Sequence, residues 1–389
     1  MKKKIQVYHF HNGSGGGVLS VIRNLLRFSN NPSIENHVIY TINKDVTPLY
    51  IFEPLEGAQS EQVFYYLPKW NFYHTCRQLA KLLPDDKAVV VAHDWIELGM
   101  MSNLGLQNPV VQILHGDYHY YYELAAINSK VIDSYICISP KMFHSLKQKL
   151  TYRQNDIFYV KFPVPNITPI NKLNNSLNLI YYVRDLNEHR KRFPTIIKIA
   201  EYLSETSNNY FFTIAGGGMT KDEFSRIWPT KMKDRVNYIG HRTNEEIISI
   251  LPMQDIFLLP SLAEGLPVSL VEAMKAGVVP LITDWAGAVD ELLSPGITGY
   301  YFEIDDSVEY ANCIKKLHLN RSLLSKLSEN CIKRANELFQ PIANTNKIED
   351  IYSIIPKRTL KKKPLKVYGS RLDKTWLPNG IVKSLRSIK

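Results

Sequence analysis

Pro260-Ser261-Leu262-Ala263-Glu264-Gly265-Leu266-Pro267-Val268-Ser269-Leu270-Val271-Glu272 follows a short apolar run, Ile256-Phe257-Leu258-Leu259. Such a run, closed by proline and serine, predicts a buried strand of a parallel sheet. Pro267 suits the first position of a helix, where its missing N–H is not needed. Val268–Ala276 continues that helix, with Gly277 as its stop. Glu264 then lies in the turn beyond the strand's carboxyl end, and Glu272 in the early turns of the helix. Ligands bind at that edge of open α/β sheets. Two carboxylates there, beside the amides of Val268 and Ser269, suit the hydroxyls and phosphates of a sugar nucleotide. Glutamates near a helix start are also favoured by the helix dipole alone, so their neighbours have to decide between the two uses.

Working outward, apolar runs and amphipathic stretches alternate as in a doubly wound sheet. In the first half the predicted strands are 5–10, 37–41, 63–66, 88–92, 110–114, 134–138 and 157–159, with helices at 17–28, 72–83 and 141–150. A Pro- and Asn-rich stretch, 162–178, reads as a linker. The second series has strands at 179–183, 211–215, 236–239, 256–259, 279–283 and 300–302. Its helices are predicted at 194–204, 221–228, 244–251, 268–276, 289–293, 307–319 and 322–339.

At 389 residues the chain exceeds one ordinary core and predicts two domains. It has no apolar run of spanning length, and its start reads as a first strand, not a signal peptide. Cysteines 76, 137, 313 and 331 are scattered, which argues against a disulfide framework or a zinc site and fits a reducing, cytoplasmic setting. The net charge of +10 resides in the C-terminal stretch: residues 357–389 hold eleven Lys or Arg against Asp373 alone, leaving the body close to neutral. A nucleic-acid binder would spread its basic residues over a folded face. Here they alternate with Trp376, Leu377, Ile381, Val382, Leu385 and Ile388, a mixture suited either to anionic lipid head groups or to a tail packed back on the body.

Glycines 13 and 15–17 lie between the first strand and the first helix, without the acidic partner of a nicotinamide site. His115 follows the strand 110–114 and can hydrogen-bond a sugar hydroxyl or a phosphate. His93-Asp94 ends the preceding strand, as an acceptor-side or a structural element. Tyr118, Tyr120, Tyr121 and Tyr122 stand just beyond His115 and suit either sugar stacking or packing. Arg184-Asp185-Leu186-Asn187-Glu188-His189-Arg190-Lys191-Arg192 follows the first strand of the second half. With no metal ligand set in view, its cations are the candidates for neutralising a diphosphate. The glycines at 216–218 and Gly240-His241-Arg242 follow the next two strands.

Glu264-Gly265-Leu266-Pro267 to Glu272-Ala273-Met274, then Gly287-Ala288-Val289-Asp290-Glu291 and Gly296-Ile297-Thr298-Gly299-Tyr300-Tyr301, resembles the donor-site signature of retaining glycosyltransferases of family 4. The resemblance extends over roughly residues 5–345 and is strongest over 256–302. It implies an α/β GT-B fold, with two Rossmann-like doubly wound domains facing a central cleft. The expected division is an acceptor-side domain over 1–168, a nucleotide-sugar domain over 169–345, and a C-terminal helix with a basic-apolar tail over 346–389. The implied catalytic residues are Glu264, facing the donor sugar, and His115, close to it. Gly16, Gly17, Arg184, Arg190 or Lys191, Val268 and Ser269 are implied to bind the donor. Glu272 would hold the ribose hydroxyls, and Glu291 would start a helix that orients the donor loop. Val183, Arg192 and Pro267 stand where the family usually has glycine.

The implied activity is metal-independent transfer of a hexose-type sugar, through front-face chemistry, to a glycan or lipid-linked glycan of bacterial envelope polysaccharide or lipopolysaccharide. No cofactor is implied beyond the nucleotide-sugar substrate. The expected location is cytoplasmic and peripheral on the inner face of the plasma membrane, through residues 357–389. A catalytically silent GT-B glycan-binding or partner subunit and a GT-B sugar-nucleotide epimerase are the competing readings.

Overall fold

The computed structural model describes residues 4–45, 54–170, 176–206, 209–285, 289–355 and 361–387. The chain divides into two compact units, 1–163 with 341–389, and 164–340. The first unit is built on seven parallel strands: β1 (Ile5–His11), β2 (Ile34–Asn43), β3 (Ser60–Tyr66), β4 (Val89–Ala92), β5 (Val110–Leu114), β6 (Ser134–Cys137) and β7 (Ile157–Tyr159). Their order is β3-β2-β1-β4-β5-β6-β7, so the chain reverses its direction of growth between β1 and β4. Central strands β4 and β5 are buried along their whole length, as expected for strands covered on both faces.

The helices of this unit are α1 (Gly17–Arg27), α2 (Phe72–Ala80), α3 (Trp95–Leu104), α4 (His119–Ile127) and α5 (Pro140–Lys149). Helices α3 and α4 were absent from the sequence reading. Eight of the ten α3 residues are buried, so it has no polar stripe to mark it as a helix. Its start is held by a capping box: the Asp94 side chain takes the amide of Trp95, and Glu97 returns to the backbone of Asp94.

The second unit carries β8 (Leu177–Asp185), β9 (Tyr210–Gly217), β10 (Val236–Gly240), β11 (Ile256–Leu259), β12 (Val279–Thr283) and β13 (Tyr300–Phe302), all parallel, in the order β10-β9-β8-β11-β12-β13. Its reversal lies between β8 and β11. Leu179, Tyr181, Ile214, Leu258 and Leu281 join Ile196, Ile199, Leu203 and Tyr310 in one buried cluster. The helices are α6 (Phe193–Ser204), α7 (Lys221–Ile227), α8 (Asn244–Ile250), α9 (Val268–Lys275), α10 (Ser307–Leu319) and α11 (Arg321–Leu338).

Three expectations need correction here. Residues 289–293 form no helix: Leu292 and Leu293 donate to the carbonyl of Val289 in a single turn, too little chain to propagate one. Gly287 and Ala288 lie outside the described residues. Pro267 takes the cap position, with helical backbone beginning at Val268. The expected linker 162–178 begins inside the body, since Phe162 and Val164 are buried, and it ends inside β8.

Helix α9 closes at Gly277, whose φ of +75° suits glycine; a Cβ there would meet Ser328 Oγ at 2.8 Å. The last residue of α9, Lys275, is fully buried. Its Nζ donates to the carbonyls of Val164 (2.8 Å) and Phe339 (2.7 Å) and to Asn166 Oδ1 (3.0 Å). Burial lowers its pKa to about 8.

The chain then returns to the first unit through α12 (Pro341–Ile354) and ends in α13 (Asn379–Ser387). The C-terminal stretch is therefore no separate segment beginning at residue 346. From 361 it runs as a strap over α2 and α3. Lys362 is buried, its Nζ paired with Asp133 Oδ2 at 2.7 Å. Leu365 N donates to Ser102 O, and Tyr368 packs against Phe72 and Trp95. Asp373 accepts the amide of Phe72 at the start of α2 and pairs with Arg386. Asn71 donates to the carbonyls of Lys374 and Leu377. Residues 357–360 and 388–389 lie outside the described residues.

Candidate functional site

In the second unit the predicted donor residues gather beyond the carboxyl ends of β8 and β11, on either side of the reversal. That is where a doubly wound sheet opens a crevice. The turn after β8 carries Arg190 and Lys191, and the turn after β11 carries Glu264. Their side chains meet: Lys191 Nζ lies 2.6 Å from Glu264 Oε1, and Arg190 Nη1 lies 2.9 Å from Glu264 Oε2. The Glu264 side chain is 8 % exposed. Backbone contacts fix the two turns to each other, with Leu262 N donating to Arg190 O and Arg190 Nη1 to Ala263 O.

The two cations are not equivalent. Arg190 also pairs with Glu188 at 2.8 Å, so its fork is shared between two carboxylates and a carbonyl. Among the described residues Lys191 Nζ donates to Glu264 alone. An ammonium has three donors, which leaves Lys191 with capacity for further oxygens.

Arg192 has turned to a different task. It adopts φ +55° at the start of α6, a left-handed position that costs a non-glycine residue about 1–2 kcal/mol. Its guanidinium is held by both carboxylate oxygens of Asp305, which also accepts from Thr195 Oγ1 at 2.7 Å. The guanidinium and the hydroxyl keep the Asp305 carboxyl below its ordinary pKa, against the opposing effect of burial. An arginine braced from α6 and the turn before α10 therefore holds this left-handed position.

Helix α9 begins with no side-chain cap and no acidic residue in its first turn. The amides of Val268 and Ser269 belong to that turn, so its positive end is not offset by a local carboxylate. Glu272, one turn further, is 2 % exposed. Its Oε1 accepts from Asn244 Nδ2 at 2.9 Å, and Tyr182 Oη, which donates to Ser269 O at 2.8 Å, lies 3.4 Å from Oε2. Tyr182 on β8 and Asn244 at the start of α8 thus orient Glu272. Neither was singled out in the sequence, where the tyrosine reads as strand and the asparagine as a helix start.

Arg184, near the end of β8, is exposed. The glycines at the end of β9 and just beyond it lie close to neighbouring groups. Gly218 has φ +91°, and a Cβ on it would fall 2.0 Å from Asp185 Oδ1. Arg242, after β10, lies 3.8 Å from Glu246. Glu291 offers its carbonyl to Arg334 Nε at 2.6 Å. Thr298 Oγ1 accepts the amide of Ser294, and Gly296 N donates to Gly299 O, closing the Gly296–Gly299 turn.

In the first unit, Gly16, Gly17 and His115 also lie at the carboxyl edge. Gly16 has φ +118° and caps α1 with no side-chain partner; a Cβ there would meet nothing within 4 Å, so conformation alone calls for glycine. The loop is fixed across the reversal between β1 and β4, where Asn12 Nδ2 donates to Asp94 Oδ2 at 3.2 Å. Asp94 also accepts from the Tyr120 hydroxyl. Glu97, buried and beside Asp94, has its carboxyl pushed up to about 7 by burial first and by that charge second.

His115 is half-buried, edge-on to Tyr121, with Nε2 2.7 Å from His93 Nδ1. His9 Nδ1 lies 3.4 Å from His93 Nε2. Burial lowers the pKa of His9 to about 4 and of His115 to about 3, and holds His93 well below the ordinary imidazole range, so all three are neutral near pH 7. Of the tyrosine cluster, Tyr120 and Tyr121 belong to this network.

Residues 164–337 match the family described as glycosyl transferases group 1. Among curated relatives, a UDP-Gal:alpha-D-GlcNAc-diphosphoundecaprenol alpha-1,3-galactosyltransferase of Escherichia coli is 28% identical over 157 residues, 39% of this chain and 40% of that protein. An N-acetyl-alpha-D-glucosaminyl L-malate synthase of Bacillus anthracis is 31% identical over 121 residues, 31% of each chain. The chain thus spans well under half the length of these relatives. Among solved structures, Anabaena Alr3699/HepE in complex with UDP and glucose superposes with a TM-score of 0.70 at 14% identity, covering 90% of this chain and 99% of that one. At that identity the likeness is one of fold, and the fold is GT-B: two Rossmann-like, doubly wound α/β domains.

Proposed function

We propose that this chain is a retaining glycosyltransferase of family 4 that moves a sugar from a nucleotide donor to a glycan or lipid-linked glycan of bacterial envelope polysaccharide. The observation that carries this reading is the Arg190–Lys191–Glu264 cluster at the reversal of the second sheet, beside the uncapped start of α9. Lys191, Arg184 and the amides of Val268 and Ser269 supply positive charge to a leaving diphosphate. Glu272, oriented by Tyr182 and Asn244, accepts from the ribose hydroxyls. Glu264, paired with two cations, faces the donor sugar and favours positive charge developing at the anomeric carbon. The cations take the part that a divalent metal plays in other transferases. The activity of the Escherichia coli relative, on a diphosphoundecaprenol-linked sugar, supports the lipid-linked acceptor.

The test is nucleotide release from a panel of nucleotide sugars by the purified full chain, with and without a chelator. Release from at least one donor, undiminished by chelation, is expected. Glu272→Ala should raise the donor KM by about 10- to 100-fold, the worth of a hydrogen bond to a charged group. No release from any donor would overturn the reading in favour of a silent glycan-binding subunit.

A peripheral membrane location belongs to the same proposal. No helix among the described residues is long and apolar enough to cross a membrane. On the strap, Trp376 (75 %), Ile381 (50 %) and Leu385 (47 %) are exposed, with Lys361, Lys363, Lys366, Arg371 and Lys383 exposed around them. Ile381 and Leu385 are four apart on α13 and share a face, while Val382 is buried. Exposed aromatic and aliphatic groups among cations match an anionic lipid surface. The triple variant W376S/I381S/L385S is expected to lose co-sedimentation with phosphatidylglycerol vesicles. Sedimentation equal to the parent, or parent binding equal on phosphatidylcholine, would sink this part.

A further inference from the structure

Among the described residues, Arg192 and Asp305 are the non-glycine residues with positive φ, at +55° and +64°. They are distant in sequence and hold each other: Arg192 Nε donates to Asp305 Oδ1 at 2.9 Å, and Nη2 pairs with Oδ2. Side chains in the left-handed region persist only where their surroundings over-determine them. Asp305 does so at modest cost, because a short polar side chain is among those that visit this region. Its neighbour Asp306 caps α10 by accepting the amide of Glu309 at 3.1 Å. Asp305 is thereby left for Arg192 and for the Thr195 hydroxyl, at 2.7 Å. Arg192 is a long side chain without that local advantage, and the bidentate pair with the carboxylate offsets its backbone.

This strained joint sits one residue past Lys191. Residues His189–Lys191 form a single helical turn that closes on Arg192, whose amide donates to His189 O at 3.3 Å. Arg192 Nη1 lies 3.3 Å from His189 Nε2, and the Arg192 carbonyl accepts the amide of Thr195 in the first turn of α6 at 3.0 Å. The Lys191 amide donates to Glu188 O, and the Lys191 carbonyl accepts the Tyr181 hydroxyl at 2.9 Å. Rotation at Arg192 towards the ordinary helical region would swing the chain before it, Lys191 first, relative to α6. We infer that the Arg192–Asp305 pair is a positioning clamp, which holds the backbone joint that aims the Lys191 ammonium. Arg192 and Asp305 are positioning residues and meet no reacting atom. The clamp rests on the proposed function only in taking the ligand of Lys191 to be the leaving diphosphate.

The clamp makes alanine and glycine unequal at position 192. Both remove the guanidinium, but glycine enters the left-handed region without a Cβ penalty, whereas alanine keeps the penalty with nothing to offset it. Asparagine also visits this region, so Asp305→Asn removes the charge and leaves its own backbone undisturbed. In the full chain, kcat for nucleotide release is expected to fall about 10-fold in Arg192→Ala, with little change in donor KM, and clearly less in Arg192→Gly. Asp305→Asn should lower kcat in the parent and add no further loss beside Arg192→Gly. Equal losses for alanine and glycine, or an Asp305→Asn loss that persists beside Arg192→Gly, would overturn the inference. A readout free of turnover separates the clamp from the proposed function: proton–nitrogen correlation of the lysine ammonium groups without ligand, with Lys191 assigned by Lys191→Arg. The Lys191 signal, protected by its 2.6 Å pair with Glu264, is expected to survive in Arg192→Gly and to exchange away in Arg192→Ala and Asp305→Asn. No protected signal in the parent, or the same signal in all three variants, refutes the clamp even where no donor is turned over. The expected signals without nucleotide release would sink the proposed function alone.

Discussion

Lys191→Ala is expected to lower kcat/KM for the nucleotide-sugar donor by about 10²- to 10³-fold, the usual cost of one preorganised donor to developing negative charge. In the free protein the ammonium is held by one carboxylate. It lies 2.6 Å from Glu264, and its two remaining donors are unassigned to any described residue. Arg190 is already divided between Glu188, Glu264 and the Ala263 carbonyl. Arg190→Ala should therefore act chiefly by loosening the Glu264 turn, lowering thermal stability as well as rate. Lys191→Ala should depress kcat with little change in melting temperature. Steady-state nucleotide release beside thermal unfolding separates the two. Equal rate losses with equal destabilisation would show that Lys191 is merely a brace.

The second large effect is expected on stability. Lys362→Met should destabilise the first unit by about 3–5 kcal/mol, because it strands the Asp133 carboxylate in the interior. Asp133 is 5 % exposed, and its Oδ2 accepts both Lys362 Nζ and the amide of Val110 at the start of β5. Lys362 Nζ also meets the Asn108 carbonyl. Replacing both partners, as Asp133→Asn with Lys362→Met, should recover much of the loss, since no unpaired charge then remains buried. Chemical denaturation of the single and double variants measures this directly. A single variant within about 1 kcal/mol of the parent, the worth of a surface pair, would show that the strap adds little.

Most strands were legible because a strand covered on both faces must be a continuous apolar run, as in 89–92, 110–114 and 256–259. Helices with one wet face, such as 17–27, were legible for the complementary reason. Helix 95–104 was not, because burial on all sides erases its stripe. Helix 379–387 was read as part of a basic tail, since its one buried residue, Val382, leaves only a narrow apolar trace. At the site, Glu264 and Glu272 were legible from spacing and resemblance. Tyr182, Asn244 and Asp305 were not, because they touch the site only through strand order. The contacts between histidines were hidden for the same reason, with positions 9, 93 and 115 made neighbours by the β1-β4-β5 order.

Lys275 has a consequence for how this architecture can be rearranged. One ammonium binds the carbonyls of Val164, the first residue of the second unit, and Phe339, the residue before its last, so those two carbonyl oxygens cannot be further apart than two hydrogen bonds placed end to end. The second unit is in effect a cassette with a single doorway, entered and left beside the same side chain. Units whose ends lie together tolerate excision, transplantation and circular permutation. A gene encoding residues 164–340 alone, or permuted by a short bridge between those two ends, can thus inherit the donor-side cluster with its clasp intact.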